Sequence, residues 1–210
     1  MRFISLAFLI IFFGFQASAQ ERGQALGAQG NHKYYKHNNS ARCPVFYLTI
    51  STGINNNTGL LSVSFEKPIA KSFSLEGGLG ISSWGYKFYG GGKYYFRSCQ
   101  RGWAVGTGVT YNTGIRNYQS NAATIYGTTE TVVLNLNPQA NALLAVYRFW
   151  NLGKRSNRVY FELGWSQPFL GGSRFDQIYG DPMSKDASDL MNRLSPGGLI
   201  VGVGFSFGKF

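Results

Sequence analysis

Histidine is scarce in this sequence, and its placement limits the available chemistry. His32 and His37 both lie in a polar, basic stretch that precedes the first alternating apolar segment. Acyl transfer near neutral pH usually relies on a histidine base, and the remainder of the chain has none to pair with a serine. No third or fourth ligand stands at metal-binding spacing around the two histidines. We therefore predict no catalytic residues, no metal site and no cofactor.

The two cysteines could form a disulfide. Cys43 precedes the first alternating segment, and Cys99 stands in a short turn between two later ones. Counting strands along the chain places both at the same end of the predicted sheet. An oxidising compartment would permit a bond that fastens the segment before the first strand across this end. Two free thiols are the alternative, because the Cα separation cannot be read from sequence.

The first residues have the three parts of an export signal. Arg2 is followed by a short apolar run and then by two alanines spaced for cleavage after Ala19. The run is shorter than the ~20 residues of a membrane-spanning helix, which favours a cleaved peptide over an anchor. We expect a signal peptide at 1–19, a flexible periplasmic leader at 20–43 and one folded domain at 44–210.

The composition indicates an envelope protein rather than a nucleic-acid-binding one. Charged residues make up 14% of the 210 residues, aromatic residues 16%, and the formal net charge is +11. An ordinary soluble domain carries about 25% charged residues. Because the chain is predicted to be exported, we expect the positive charge to meet lipid headgroups or envelope proteins, and we expect no nucleic acid partner.

Apolar and polar residues alternate with a period of two through most of the chain after Pro44. This is the period of a β-strand, whose successive side chains point to opposite faces. Short connections alternate with longer ones, which we place at 53–59, 85–92, 115–139 and 171–196. The pattern predicts an all-β fold, an eight-stranded antiparallel up-and-down transmembrane β-barrel. Its strands are expected around 46–51, 61–66, 73–82, 93–97, 103–112, 141–149, 159–166 and 199–208.

The composition of the polar face of the predicted strands indicates which face lines the inside of the barrel. It is mainly Gly, Ser, Ala and Thr, whereas the outer face of a soluble barrel would carry many Lys, Glu and Asp. We therefore expect the aliphatic rows to face lipid and the small residues to line a narrow lumen; a soluble barrel of opposite sense is the alternative. Aromatic residues near strand ends are expected to form interface girdles. They are Tyr47, Tyr86, Phe88, Tyr94, Tyr95, Trp103, Tyr111, Tyr147, Phe149, Trp150, Tyr160 and Trp165. Charges predicted to pair inside and close the lumen are Glu66, Glu76, Lys93, Arg97, Arg148 and Glu162.

The region from Pro44 to Phe210 resembles the small eight-stranded outer-membrane barrels of Gram-negative bacteria, in the OmpA and OmpX class and in the style of Bacteroidota barrels. The resemblance rests on the signal peptide, on repeats such as Phe-Ser-Leu-Glu-Gly-Gly-Leu-Gly from residue 73, and on the alternating last strand with its terminal aromatic. It implies the outer membrane as location and the barrel-insertion machinery as a partner. The residues that it implies as a C-terminal assembly signal are Phe205, Phe207 and Phe210.

We expect the loops that connect the barrel strands to carry the function. We predict a structural or interaction role: a membrane anchor with envelope partners contacting loops 115–129 and 171–196, as part of an envelope, secretion or conjugation assembly. The second loop should contain a short helix from Ser184 to Leu194. A narrow passive pore for small solutes is the alternative, and a lipid- or peptide-modifying barrel enzyme is the less favoured third.

Overall fold

The structure, a computed structural model, describes residues 43–152, 157–170 and 172–209. The predicted signal peptide, the leader up to residue 42 and the terminal Phe210 lie outside the described residues. Eleven strands and one helix occupy the described chain: β1 (Phe46–Ile54), β2 (Leu61–Ala70), β3 (Phe73–Ser82), β4 (Gly85–Arg97), β5 (Arg101–Asn112), β6 (Ile115–Ala123), β7 (Thr129–Leu136), β8 (Gln139–Asn151), β9 (Arg158–Leu170), β10 (Phe175–Tyr179), α1 (Lys185–Leu194) and β11 (Gly198–Lys209).

Eight of these strands close into a barrel in the order β1-β11-β9-β8-β5-β4-β3-β2. Every pairing is antiparallel, and β1 meets β11 from Phe46↔Lys209 to Ile54↔Val201, which closes the cylinder. Around this circuit each strand neighbours the next barrel strand along the chain. The all-β fold and the eight-stranded antiparallel up-and-down barrel are therefore confirmed. The β2–β3, β4–β5 and β8–β9 turns mark what we call the short-turn end, and the opposite end is the long-loop end.

The predicted connection at 85–92 is wrong, because these residues belong to β4. The three consecutive glycines Gly90–Gly92 resemble a turn in sequence, yet each pairs in the sheet with both β3 and β5. Large side chains need the space that the missing side chains leave: a Cβ on Gly92 would lie 2.9 Å from Cζ of Phe73. The turn between β3 and β4 is instead formed by Ser83 and Trp84.

The two longest connections fold into a second layer at the long-loop end. β6, β7 and β10 form a three-stranded sheet in the order β10-β7-β6. Its buried core contains Val132, Leu134 and Leu136, with Trp84 reaching up from the β3–β4 turn. We call this part, residues 113–138 and 172–197, the loop module.

The helix of the loop module begins where the sequence predicts. Ser184 is the N-cap, and its hydroxyl accepts a hydrogen bond from the backbone N–H of Ala187 at 3.3 Å. α1 then runs from Lys185 to Leu194. Across the described ranges, none of the helical structure has the length and apolar character to cross a membrane.

Candidate functional site

Six charged side chains are buried inside the barrel, and their charges balance. Each lies in phase with the small residues of its strand, because alternate side chains face the same side of a sheet. Buried charges are stable only when paired or hydrogen-bonded. Five of the six meet this condition by direct contact, whereas neither carboxylate oxygen of Glu162 has a hydrogen-bond partner among the described residues. The carboxylates are Glu66 on β2, Glu76 on β3 and Glu162 on β9, and the cations are Lys87 and Lys93 on β4 and Arg158 on β9.

Glu66 is the centre of an ion cluster towards the short-turn end. Its carboxylate accepts a hydrogen bond from Nη2 of Arg158 at 2.5 Å and from the hydroxyl of Tyr95 at 2.6 Å. Lys93 links this pair to the next carboxylate, since its Nζ lies 2.7 Å from Glu76 and 3.6 Å from Glu66. The cluster therefore connects β2, β3, β4 and β9 across the lumen.

Aromatic rings enclose the two cations of this cluster. The Arg158 guanidinium carbon lies 3.6 Å from the ring centroid of Tyr47 and 4.2 Å from that of Phe149. The Lys93 ammonium lies 4.5 Å from the centroid of Tyr147. Such cation–π contacts strengthen when water is excluded. In an eight-stranded barrel, whose interior is just wide enough for side chains, these rings fill the cross-section.

The β4–β5 turn and a disulfide lie at the short-turn end. Cys43 and Cys99 are bonded, with Cα atoms 4.9 Å apart, so the segment before β1 is tied to a turn several strands away around the barrel. Gln100 is buried, and its backbone carbonyl accepts a hydrogen bond from Nη1 of Arg158 at 2.8 Å. The turn is thereby held to the same arginine that binds Glu66.

A plug closes the other half of the lumen. It is the β1–β2 connection, in which Asn56, Asn57 and Thr58 are almost completely buried. The Lys87 ammonium donates to the backbone carbonyl of Asn56 at 2.6 Å, and the Asn57 amide donates to Glu76 at 3.4 Å. A loop of this composition would ordinarily lie in solvent. Here the Asn56 carbonyl and the Asn57 amide find partners among the lumen charges.

The plug keeps its shape through local hydrogen bonds. The Asn56 side-chain oxygen accepts from the backbone N–H groups of Thr58 and Gly59, at 3.2 and 2.5 Å, which is the side-chain-capped turn that asparagine favours. Gly59 adopts φ +113°, a conformation that L residues rarely accept. The Thr58 hydroxyl then contacts the hydroxyls of Ser62 at 2.5 Å and Ser51 at 3.2 Å on the barrel wall.

Large lumen side chains pack over glycines of neighbouring strands. A Cβ on Gly106 would lie 2.8 Å from Cε2 of Tyr147, and one on Gly202 would lie 2.5 Å from a carboxylate oxygen of Glu162. The glycine-rich face that the sequence places inward is therefore occupied by tyrosine and glutamate rather than left as an open channel.

Two predicted lumen residues lie elsewhere. Arg148 is on the outer surface of β8, where its guanidinium carbon is 5.2 Å from the ring centroid of Trp103 and 5.7 Å from that of Trp150. Arg97 is exposed at the end of β4, beyond a register shift that follows Tyr95. The prediction for Arg148 is wrong because β8 is apolar on both faces, so the alternation along this strand does not indicate which residues face the lumen.

Sequence reasoning also missed two of the lumen cations. Lys87 falls in the connection predicted at 85–92, although it is in phase with Tyr89 and Lys93 along β4. Arg158 stands immediately before the strand predicted at 159–166, although it is in phase with Tyr160 and Glu162 along β9. Extending the alternation of inward and outward residues to the ends of β4 and β9 would have placed both residues in the lumen. The remaining predicted lumen charges, Glu66, Glu76, Lys93 and Glu162, all lie inside the barrel.

The outer face of the barrel carries exposed aliphatic and aromatic side chains on every strand, as the alternation predicts. Five aromatic residues expected in the girdles point inward instead: Tyr47, Tyr95, Tyr147, Phe149 and Tyr160. The expected girdle residues that point outward are Tyr86, Phe88, Tyr94, Trp103, Tyr111, Trp150 and Trp165. The outward aliphatic residues include Leu48, Ile50, Val63, Leu75, Leu79, Val109, Leu144, Val146, Leu163, Leu199 and Val203.

The two loops predicted as partner surfaces form one unit. The backbone N–H of Ser184 donates to the carbonyl of Ala123 at 2.8 Å, and that of Ile125 donates to Pro182 at 3.0 Å. The loop module also exposes large apolar side chains to its surroundings, among them Ile125, Tyr126, Ile178 and Tyr179. Within the described ranges, no group of three or more acidic, histidine or cysteine side chains could hold a metal ion.

Comparison with protein-family models, curated proteins and solved structures finds no match. The class of protein is therefore defined by its own geometry. It is a closed eight-stranded antiparallel barrel whose lumen is filled by an ion cluster and a plug, and whose long connections build a loop module at one end.

Proposed function

We propose that this protein is an outer-membrane barrel of a Gram-negative bacterium that anchors the loop module at the cell surface. Its role is structural or interactive, and it contributes to an envelope, secretion or conjugation assembly. As part of this proposal, the protein is one of the small barrels of the OmpA and OmpX class, in the style found in Bacteroidota. The observation that carries it is the sense of the barrel: apolar rows face outward while six charges are buried inside.

A lipid surrounding accounts for this inverted arrangement. Soluble monomers rarely expose contiguous apolar patches larger than a few hundred Å², whereas here apolar rows cover all eight strands. In hydrocarbon, every backbone N–H and C=O must find a partner within the protein, and a closed barrel achieves this. The barrel strands are 9 to 13 residues long, which matches or exceeds the length that a tilted membrane strand needs.

The filled lumen favours an anchor over a pore. The Glu66 ion cluster occupies the half nearer the short-turn end, and the plug occupies the half nearer the long-loop end. A solute would have to displace both. We therefore place the function in the loop module, which offers an ordered, partly apolar surface to envelope partners.

Delivery to the membrane follows from the two ends of the sequence. The signal peptide at 1–19 directs export, and the last strand interacts with the barrel-insertion machinery. Phe205 and Phe207 lie in phase on β11, with ring centroids 4.6 Å apart. This aromatic pair supports the proposed assembly signal, whose third member is Phe210.

Two leucine substitutions test the membrane assignment. Leu163 on the outer face of β9 is 48% exposed and Leu190 on α1 is 57% exposed, so water alone would tolerate arginine at either position about equally. In a bilayer, arginine near the midplane of the barrel wall costs about 2–4 kcal/mol, while the helix lies outside the wall. We expect Leu163→Arg to reduce the folded fraction in phosphatidylcholine vesicles and Leu190→Arg to leave it unchanged.

Gel mobility provides the readout, since a folded barrel migrates differently from a boiled sample. Equal folding of the two variants, or a monomer that stays in solution without detergent, would contradict the proposal. Recording from a planar bilayer addresses the lumen separately. We expect the wild-type protein to conduct no measurable ionic current if it is an anchor. Discrete conductance steps would instead favour the narrow pore.

A further inference from the structure

A lateral cleft of about 760 Å³ lies at the long-loop end, between the outer wall of the barrel and the loop module. Its wall is apolar and comes from the parts of the barrel strands nearest the long-loop end: Ile54 of β1, Trp165 of β9 and Leu199 of β11. All three side chains are exposed on the outer face. The cleft is thus continuous with the surface that we propose to face lipid.

The opposite side of the cleft is polar and basic. Arg193, in the last turn of α1, and Arg174, just before β10, both line it. Asp189 lines it as well, which leaves an excess of one positive charge. The ion pairs of the described residues all lie in the lumen, so neither arginine of the cleft has a carboxylate oxygen within 4 Å among those residues.

Arg174 is already held in position. Its Nη1 donates to the carbonyl of Asn192 and to the hydroxyl of Ser195, both at 2.6 Å. Among the described residues no other hydrogen bond uses its guanidinium, so the Nη2 and Nε groups remain as donors. A planar guanidinium fixed in this way is suited to a phosphate group, which accepts two parallel hydrogen bonds.

We propose that this cleft binds a membrane lipid with an exposed phosphate in its headgroup. The acyl chain lies along Ile54, Trp165 and Leu199, and the phosphate contacts Arg193 and Arg174. The cleft combines an apolar wall with two arginines, and a phosphate-bearing lipid satisfies both. A free phosphate would leave the apolar wall in water, and an uncharged lipid would leave the arginines without a partner. The indole of Trp165 adds a polar N–H to this wall, which donates to Oε1 of Gln167, another lining residue, at 3.4 Å. This inference rests on the proposed membrane location.

The test uses the folded, detergent-solubilised protein and native mass spectrometry. The probes are lysophosphatidic acid, which exposes its phosphate, and lysophosphatidylcholine of the same chain length, which masks it. We expect retention of lysophosphatidic acid in preference to lysophosphatidylcholine. Arg193→Gln should weaken retention about tenfold, as expected for the loss of one charge-assisted contact. Arg116→Gln is the matched control, because Arg116 is exposed on β6 and does not line the cleft.

Each result has one meaning. Equal retention of the two lipids, or equal retention by Arg193→Gln and wild type, overturns the proposal. Bound lysophosphatidic acid can also be competed with inorganic phosphate or with further lysophosphatidic acid. If inorganic phosphate displaces the bound lipid at the same concentration as the competing lipid does, the cleft is a simple phosphate site and the proposal is overturned. Gel mobility is measured first on every variant. A barrel that inserts into vesicles but shows no phosphate preference refutes only this inference, whereas failure to insert refutes the proposed function itself.

Discussion

Replacing Arg158 with methionine should strongly destabilise the barrel. Methionine has similar length but removes the ion pair with Glu66, the hydrogen bond to the Gln100 carbonyl and the contacts with the Tyr47 and Phe149 rings. The main effect is electrostatic. One carboxylate would remain buried in the lumen without its closest cation.

The magnitude follows from what Glu66 would retain. Breaking a buried ion pair by removing one partner costs about 3–5 kcal/mol. Glu66 keeps the Tyr95 hydroxyl at 2.6 Å and the Lys93 ammonium at 3.6 Å, so we expect the lower part of this range, about 3 kcal/mol. Adding Glu66→Gln to Arg158→Met removes the unbalanced charge, and we expect the double variant to be more stable than Arg158→Met alone.

Urea titration of the vesicle-inserted protein, followed by circular dichroism and gel mobility, measures the free energy of unfolding. Arg148→Met is the matched control, because Arg148 stacks on two tryptophans at the outer surface and forms no ion pair among the described residues. We expect it to cost less than 1 kcal/mol, roughly the value of an exposed cation–π contact. If Arg158→Met and Arg148→Met shift the unfolding midpoint equally, the assignment of Arg158 to the lumen is refuted.

Three further variants test other parts of the structure. Gly106→Ala would place a Cβ 2.8 Å from a lumen tyrosine ring, so we expect a loss of about 1–3 kcal/mol in the urea titration, whereas Gly90→Ala, with nothing within 4 Å, should be neutral. Replacing Cys43 and Cys99 by serine opens a link between residues 56 positions apart and should lower the free energy of unfolding by about 2–4 kcal/mol; an unchanged midpoint would show that the bond does not stabilise the barrel. Trp84→Ala removes the ring that the β3–β4 turn inserts into the core of the loop module and should cost that module about 3–5 kcal/mol, so limited proteolysis should cut its loops sooner while the heat-dependent gel shift of the barrel persists.

The approximate positions of the eight barrel strands and the sense of the barrel could be predicted from the sequence because both are local properties, whereas the first half of β4 and the strands β6, β7 and β10 were predicted as connections. Apolar residues repeat every second position along each strand, and the composition of the intervening residues indicates the enclosed side. The capped helix after Ser184 is equally local, since its first hydrogen bond reaches only three residues ahead. These signals require no knowledge of which strands meet.

The contents of the lumen and the loop module depended on tertiary structure. Whether Glu66 pairs with Arg158 is decided by register across a closed barrel, and these residues are 92 positions apart. The plug could not be anticipated, because an asparagine-rich loop is favourable in water until Lys87 and Glu76 are brought within its reach. The union of the two loops follows from the pairing of β8 with β9, which places the end of the first loop beside the start of the second. Periodicity reports the face of a side chain, while the choice of partner is made by strands that are far apart in sequence.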